Sequence, residues 1–405
     1  MFIKDLQIVN FRNYSKETLH FKKGVTIIKG ANGQGKSNLL EAIYHLCFGR
    51  SFRTIKENDL VQWNKPYYYL QGNICFEKKC YKIETGYEAQ NSRKIVKING
   101  QLLQKSENIN LCPLVFFIPE DLDLIRRGPE ERRNFLDREI SQLSSFYREC
   151  LLRYKRALRQ KNSLLKISKI RKNRLNKELL IPWNKQIIYY GSRIFQQRAR
   201  LISTWGKLAS DNFAKLFDKE IMYENDIDDH KMHDNNEEQP LNKEENNLHL
   251  SLEYRPGILE IAFAENALFE IEKEMQLQVE TAQEEEEERG FSIVGVHKDD
   301  FVFLLGGKES KRFASHGQQR SAIICLKAAQ IQFYSRNFEK PIFMLDDIFS
   351  ELDEKRRRQS FVLFQEAEQV FLTMPNYESL QKDIYGQPFS LFDVKNGKAE
   401  IIEND

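Results

Sequence analysis

Gly30-Ala31-Asn32-Gly33-Gln34-Gly35-Lys36-Ser37 carries the residue types needed to hold a phosphate chain. Its glycines let the backbone turn tightly enough for several N–H groups to converge on one anion. Lys36 can then place a point charge on the β- and γ-phosphates, and Ser37 can offer a hydroxyl to Mg²⁺. The spacing G-x-x-x-x-G-K-S is the P-loop pattern. A second group of candidates lies 310 positions beyond Lys36, where Ile342-Phe343-Met344-Leu345 runs into Asp346 and Asp347. A carboxylate at the end of an apolar strand can hold the Mg²⁺ of a nucleotide. The carboxylate after it can act as general base or position the attacking water. Ser315-His316-Gly317-Gln318 adjoins a helix start, and its hydroxyl, glycine backbone and helix N-terminus make another anion-binding surface. With one P-loop already present in the chain, that surface points to a nucleotide on another subunit; alternatively Ser315 is a simple N-cap.

These residues need elements that place them. Val25-Thr26-Ile27-Ile28 reads as a buried strand feeding the loop, and Asn38 to Tyr44 has helical apolar spacing that aims a helix N-terminus at the phosphates. Strands are expected over Phe2 to Asn10, Thr18 to Phe21, Tyr67 to Phe76, Cys80 to Tyr87, Lys94 to Ile98 and Leu114 to Ile118. The third, fourth and fifth of these form an antiparallel meander that closes at Asn99-Gly100. From residue 126 the texture turns helical. Leu136, Ile140, Leu143, Tyr147, Leu151, Tyr154 and Leu158 mark one face of a single long helix. Pro182 opens another, with Ile187, Ile194, Leu201 and Leu208 seven apart. Ala264, Leu268, Ile271, Met275 and Val279 mark a returning helix, and Glu284 to Glu288 a solvated acidic turn. From Gly290 strand texture resumes, with Phe301 to Leu305, Pro341 to Asp347, Gln369 to Thr373 and an edge strand in the tail from Lys398. The two halves of the phosphate site must therefore fold together. Residues 1–125 and 290–405 make one α/β body, and 126–289 an inserted helical domain.

Net charge is +3, but it is unevenly spread. Residues 126–174 hold 16 Lys/Arg against 5 Asp/Glu, whereas residues 218–247 hold 3 Lys against 11 Asp/Glu. The basic stretch is a candidate polyanion surface, with Arg148, Arg153, Lys155, Arg159 and Lys161 as phosphate contacts. The segment 224–247 reads as loosely ordered, and His230 and His233 within it lack an apolar framework to hold a metal. Cys47, Cys75, Cys80, Cys112, Cys150 and Cys325 form no CxxC pair, which predicts reduced thiols and neither a disulfide framework nor a zinc site. No run of 18 apolar residues occurs, and Met1 to Leu6 lacks a signal-peptide block. A cytoplasmic protein with no membrane partner is expected.

The order of P-loop, Ser-x-Gly-Gln, apolar strand with Asp346-Asp347, and Ser350-Glu351-Leu352-Asp353 resembles the ABC-type ATPase heads of SMC-like DNA repair proteins. Asn10-Phe11-Arg12-Asn13-Tyr14, Gly49-Arg50-Ser51-Phe52-Arg53, Pro119-Glu120-Asp121-Leu122, Arg132 to Asp137, His297-Lys298-Asp299-Asp300 and Gly317-Gln318-Gln319-Arg320 narrow the resemblance to the RecF family, across nearly the whole chain. It implies ATP and Mg²⁺ as cofactors, with Ser37 and Asp346 on the metal. Gly30 to Ser37, Arg12, Ser315, Gly317, Gln318 and Asp353 would lie at the nucleotide. It also implies ATP-dependent homodimerisation, binding to double-stranded and gapped DNA, and work with RecR/RecO-type mediators that load recombinase. His316 stands where the family usually has Gln, and Val296 and Lys298 replace its usual Pro and Arg. Asp347 in place of Glu fits the family and implies slow hydrolysis, because the shorter side chain reaches the attacking water less readily. An ABC subunit serving a membrane partner shares the nucleotide motifs but has no need of a basic helical insertion. An SMC-type structural protein would need hundreds of heptad residues between the two halves.

Lys36→Arg keeps the charge but replaces a compact ammonium with a wide fork. ATP turnover in this variant is expected to fall by orders of magnitude while nucleotide still binds; wild-type turnover would remove Lys36 from the site.

Overall fold

The structure is a computed structural model describing residues 1–402 except 55, 77–78, 104–112, 172–176, 218–247, 258–267, 349–353 and 377–387. The chain starts with β1 (Phe2–Phe11), β2 (Tyr14–His20), β3 (Gly24–Lys29) and α1 (Lys36–Phe48). It continues through β4 (Tyr67–Phe76), β5 (Lys79–Glu88), β6 (Arg93–Ile98), β7 (Gln101–Leu102) and β8 (Leu114–Phe117). Then come α2 (Asp123–Arg126), α3 (Pro129–Leu143), α4 (Ser145–Arg171), α5 (Ile181–Phe217), β9 (Leu250–Arg255), α6 (Leu268–Thr281), α7 (Gln283–Arg289), β10 (Asp300–Leu305), β11 (Lys308–Glu309) and α8 (Ser310–Phe313). The last elements are α9 (His316–Asn337), β12 (Ile342–Asp346), α10 (Glu354–Leu363), β13 (Gln369–Met374), β14 (Phe389–Lys395) and β15 (Lys398–Ile402).

Two compact units result: Met1–Asp121 with Lys327–Asp405, and Leu122–Leu326. The division falls inside α9, so residues 290–326 group with the middle of the chain rather than with the nucleotide-binding body, where the sequence reading put them. In the first unit, one sheet runs β2-β1-β4-β5-β6-β7 and is antiparallel throughout. The other runs β15-β14-β3-β13-β12-β8, parallel from β14 to β8 with β15 antiparallel at the edge. Helix α1 touches β1, β4 and β5 of the first sheet and β12 and β13 of the second. Being covered on both sides, it is apolar nearly all round, with Leu39, Leu40, Ala42, Ile43, Leu46 and Cys47 fully buried. Ile8, Tyr68, Met344 and Phe371 join the same core.

The second unit departs from an all-helical insertion. β10 forms a three-stranded antiparallel sheet with β11 and β9, and β9 lies within the stretch read as helical. A strand needs partners for its backbone N–H and C=O groups, and β9 supplies them to β10. The expected single helix over residues 136–158 is two helices. Ser144, at φ −137° and ψ 111°, breaks them apart, while the buried stripe continues into α4 in nearly the same phase. In α4 that stripe is Tyr147, Cys150, Tyr154, Ala157, Lys161 and Leu165.

Lys161 is therefore not a surface cation. It is 1% exposed, and its Nζ lies 2.6 Å from the buried Glu286 carboxylate of α7, so the stretch read as a solvated acidic turn is a helix with one acid turned inward. Arg198 of α5 is a second buried charge. It pairs with Asp137 at 2.7 Å and Asp299 at 2.9 Å, and its Nε donates to the Tyr147 hydroxyl. Burial raises the pKa of Asp299 against the pull of Arg198. The cysteines also differ from expectation. Cys75 and Cys80 face each other across β4 and β5 and form a disulfide, because the antiparallel pairing of these strands sets them directly opposite. Cys47, Cys150 and Cys325 are buried free thiols, and Cys112 lies outside the described residues.

Lys161→Ala leaves the Glu286 charge buried without its partner. Breaking a buried pair in this way costs about 3–5 kcal/mol. Urea unfolding of the variant should show a loss of that order, and much less for the double variant Lys161→Met/Glu286→Leu.

Candidate nucleotide site

The phosphate loop is built by backbone conformations that only glycine adopts readily. Gly30 has φ +154° and Gly35 φ +119°. A Cβ on Gly30 would lie 2.4 Å from the Val394 carbonyl oxygen, and one on Gly35 2.6 Å from Asn13 Nδ2. Gly35 is the N-cap of α1 and no side chain caps that helix, so its first N–H groups face the loop's interior. Lys36 Nζ donates to the carbonyls of Gly30 at 2.7 Å and Ala31 at 3.1 Å, spanning the loop. Burial lowers the Lys36 pKa, while the nearby carboxylates Asp347 and Asp346 oppose that shift.

Pairing of β3 with β13 and of β13 with β12 sets Ile28, Thr373 and Asp346 in one row, two residues before Gly30. The Ser37 hydroxyl donates to Asp346 Oδ1 at 2.8 Å, and the Thr373 hydroxyl donates to the same oxygen at 2.8 Å. The Asp347 N–H donates to Thr373 Oγ1 at 2.9 Å, which helps hold Asp347 at φ +54°, a conformation unusual for any residue but glycine. A hydroxyl and a carboxylate side by side beside a helix N-terminus are hard oxygen donors suited to Mg²⁺, which keeps most of its water and takes few protein ligands. Among the described residues no group of three or more His, Cys, Asp and Glu side chains is placed to hold a metal ion.

Several supports were not legible as site residues. The Asn13 amide donates to the Gln34 carbonyl at 2.9 Å and accepts from Asn38, and the Tyr14 hydroxyl donates to the Gly35 carbonyl at 3.0 Å. The turn between β14 and β15 contributes the N–H groups of Asn396 and Gly397, which donate to the Gln34 side chain and backbone. Arg53 reaches Asp346 Oδ2 at 3.3 Å and Asn38 Oδ1 at 3.3 Å. In sequence Arg53 stood out only through the segment Gly49-Arg50-Ser51-Phe52-Arg53, which carries part of the family resemblance but gives it no role at the nucleotide. Arg12, expected at the nucleotide, forks onto the buried Glu41 carboxylate at 2.8 and 2.9 Å and donates to the Asp59 carbonyl. In this structure all three of its nitrogens are engaged by protein acceptors.

Ser315 lies in the second unit and caps α9. Its hydroxyl accepts from the Gln318 N–H at 3.2 Å, and its own N–H donates to the Gln318 side chain at 2.8 Å, a reciprocal capping box. Ser315 and His316 are exposed, and Gly317 is half-buried. Asp353, with Ser350, Glu351 and Leu352, lies outside the described residues, as do His230 and His233 and the acidic segment 224–247. Of the five basic candidates, Arg153, Lys155 and Arg159 are exposed on α4, paired respectively with Glu149, Asp137 and the Lys155 carbonyl. Arg148 is half-buried and donates to the Ser141 carbonyl, and Lys161 is enclosed.

The chain matches the model of the RecF/RecN/SMC N-terminal domain over residues 2–399. The DNA replication and repair protein RecF of Natranaerobius thermophilus is 35% identical over 407 residues, 98% of each chain. That of Thermoanaerobacter sp. is 33% identical over 406 residues, 98% of this chain and 99% of the relative. Among solved structures, the recombination mediator protein RecF with ATP, of the RecFOR pathway, superposes with a TM-score of 0.82 at 29% identity, covering 99% of this chain and 98% of the other. An Smc head bound to the C-winged helix domain of ScpA shares the fold at a TM-score of 0.53 and 15% identity, covering 99% of this chain and 97% of the other.

Thr373→Val keeps the strand but removes the hydroxyl that joins Asp346 to the Asp347 backbone. ATP hydrolysis should fall at least tenfold with nucleotide affinity changed less than threefold, as read by single-turnover kinetics beside equilibrium binding (a barrier about 1.4 kcal/mol higher).

Proposed function

Because the chain belongs to the RecF family of SMC-like ATPases, we propose that it is an ATP-dependent DNA-binding protein of recombinational repair and replication restart. The observation that carries this reading is the convergence of Lys36 and Ser37, after β3, with Asp346 and Asp347, at the end of β12, across the parallel strand β13 between them. In the proposed cycle Gly30 to Ser37 wrap the phosphates, and Lys36 carries charge to the β–γ bridge. Ser37 and Asp346 hold Mg²⁺, which would neutralise developing charge on the phosphates. Asp347 positions the attacking water. Its short side chain accounts for a slow turnover that serves to time a binding cycle.

Ser315, Gly317 and Gln318 of one subunit complete the nucleotide site of a second, giving two composite sites in a two-fold dimer. ATP favours the dimer because its γ-phosphate would contact both subunits, and hydrolysis removes that bridge. Double-stranded DNA beside a single-strand gap is the proposed partner, with Arg153, Lys155 and Arg159 contributing phosphate contacts. Mediators of the RecR/RecO type act next to load recombinase. No described helix is long and apolar enough to cross a membrane.

Sedimentation with and without ATP, alongside ATPase assays with and without duplex DNA, tests the cycle. Wild type should dimerise only with ATP and hydrolyse it faster on DNA. Ser315→Arg should stay monomeric while still binding ATP, and Asp347→Asn should give a long-lived ATP dimer. A wild type that stays monomeric at micromolar concentration with ATP, or a Ser315→Arg protein that dimerises normally, overturns the composite site.

A further inference from the structure

The β4–β5–β6 face turned away from the core carries a hollow that the nucleotide machinery does not use. Cross-strand register places Tyr69, Gly86 and Ile95 in one row, and strand alternation turns Tyr68 and Tyr87 to the opposite, buried side. Gly86 has no side chain to fill the middle of that row. The result is an open cavity of about 320 Å³ with Tyr67 at its edge, 42% exposed. A Cβ on Gly86 would come within 3.6 Å of the Tyr69 ring and 3.3 Å of the Tyr68 carbonyl. The Tyr69 hydroxyl donates to Glu84 at 2.7 Å, which fixes the ring as a wall.

Charge brackets this hollow. Arg93 lies one row to one side and Lys97 one row to the other, opposite Glu88 and Glu84. Four residues along a strand separate the two cations by about 13 Å. Neither makes an ion pair or side-chain hydrogen bond among the described residues, whereas Glu84 accepts from Tyr69 and Glu88 from Asn91. A span of about 13 Å matches roughly two nucleotides of an extended single strand, and a flat, mostly apolar slot between two cations suits a base more than a phosphate.

We propose that this face binds single-stranded nucleic acid. One base would stack in the Gly86 hollow against Tyr69 and Ile95, and Arg93 and Lys97 would hold phosphates on either side. A duplex keeps its bases stacked and paired and cannot enter the hollow, so the site would distinguish the single-stranded part of a gap from its flanks. The inference rests on the DNA-binding reading above.

Anisotropy with labelled oligothymidylate and with a blunt duplex, on the full chain with ATP, separates the two claims. Gly86→Val fills the hollow without changing charge. Tyr67→Ala trims an exposed wall with little risk to folding. Arg93→Gln/Lys97→Gln removes the bracket. Each is expected to weaken oligothymidylate binding about tenfold and leave duplex binding unchanged. Only the charge variant should lower the salt slope, by about 0.7 per lost phosphate contact. Unchanged oligothymidylate affinity in Tyr67→Ala and in the charge variant overturns the proposal. So does an equal loss for duplex, or a loss confined to binding of a RecR/RecO-type protein, which would make this face a protein-docking site. A wild type that binds duplex but not oligothymidylate refutes this inference alone, whereas one that binds neither refutes the DNA-binding reading itself.

Discussion

Parallel pairing of β3, β13 and β12 is the constraint on which the first unit depends. Ile28, Thr373 and Asp346 stand in one row, so the chain leaves β3 for the phosphate loop at the level where β12 delivers its carboxylate. A slip of one residue between β12 and β13 would turn Asp346 to the other face of the sheet, and a slip between β13 and β3 would move the loop away from its level. The strands are buried on both faces, so a slip would also force Phe343 and Met344, both fully buried, to repack in the wrong layer. Sheet stability and site geometry are thus held by the same register. Gln369 extends this control to the other sheet. Its buried side chain accepts from the Ile3 N–H and donates to the Ile3 and Lys22 carbonyls.

Around that row the loops are tied down by side chains rather than by further strands. Glu41, fully buried in α1, receives the fork of Arg12 and the hydroxyl of Ser51. Ser51 in turn accepts from the Arg53 N–H at 2.8 Å, and the Arg53 guanidinium reaches Asp346. One buried acid therefore organises the turn after β1 and the segment after α1, and through Arg53 it connects to Asp346. Its burial is tolerable because each oxygen is satisfied by a charged or hydroxyl donor.

The second unit uses the same device on a larger scale. Arg198 sits between Asp137 and Asp299, and Tyr147 and Tyr254 donate their hydroxyls to those carboxylates, joining α3, α4, α5, β9 and the turn before β10. Such a cluster adds little net stability over an apolar core, but it tolerates few alternative packings, because any other arrangement strands a buried charge. Lys161 with Glu286 ties α4 to α7 on the same terms.

Local chemistry made the phosphate loop, the Asp346-Asp347 strand and most of the strands legible in the sequence. Glycine spacing, period-two alternation and apolar runs are properties of neighbours along the chain. The same signals showed that residues 1–125 must meet the C-terminal part. What they could not show was which charges turn inward. Lys161 and Glu286 look in sequence like members of solvated charge runs, and although Lys161 falls seven residues after Tyr154 on the inward stripe of α4, only the packing of α7 against α4 sets the Glu286 carboxylate opposite it. β9 was hidden because its alternation is short and its partner β10 lies 45 or more residues further on. Cys75 and Cys80 form a bond that no CxxC spacing announces, set by the register of two strands. Thr373, Asn13 and Arg53 reach the site by the same route: tertiary pairing decided their roles, because each acts on a partner that sequence distance conceals.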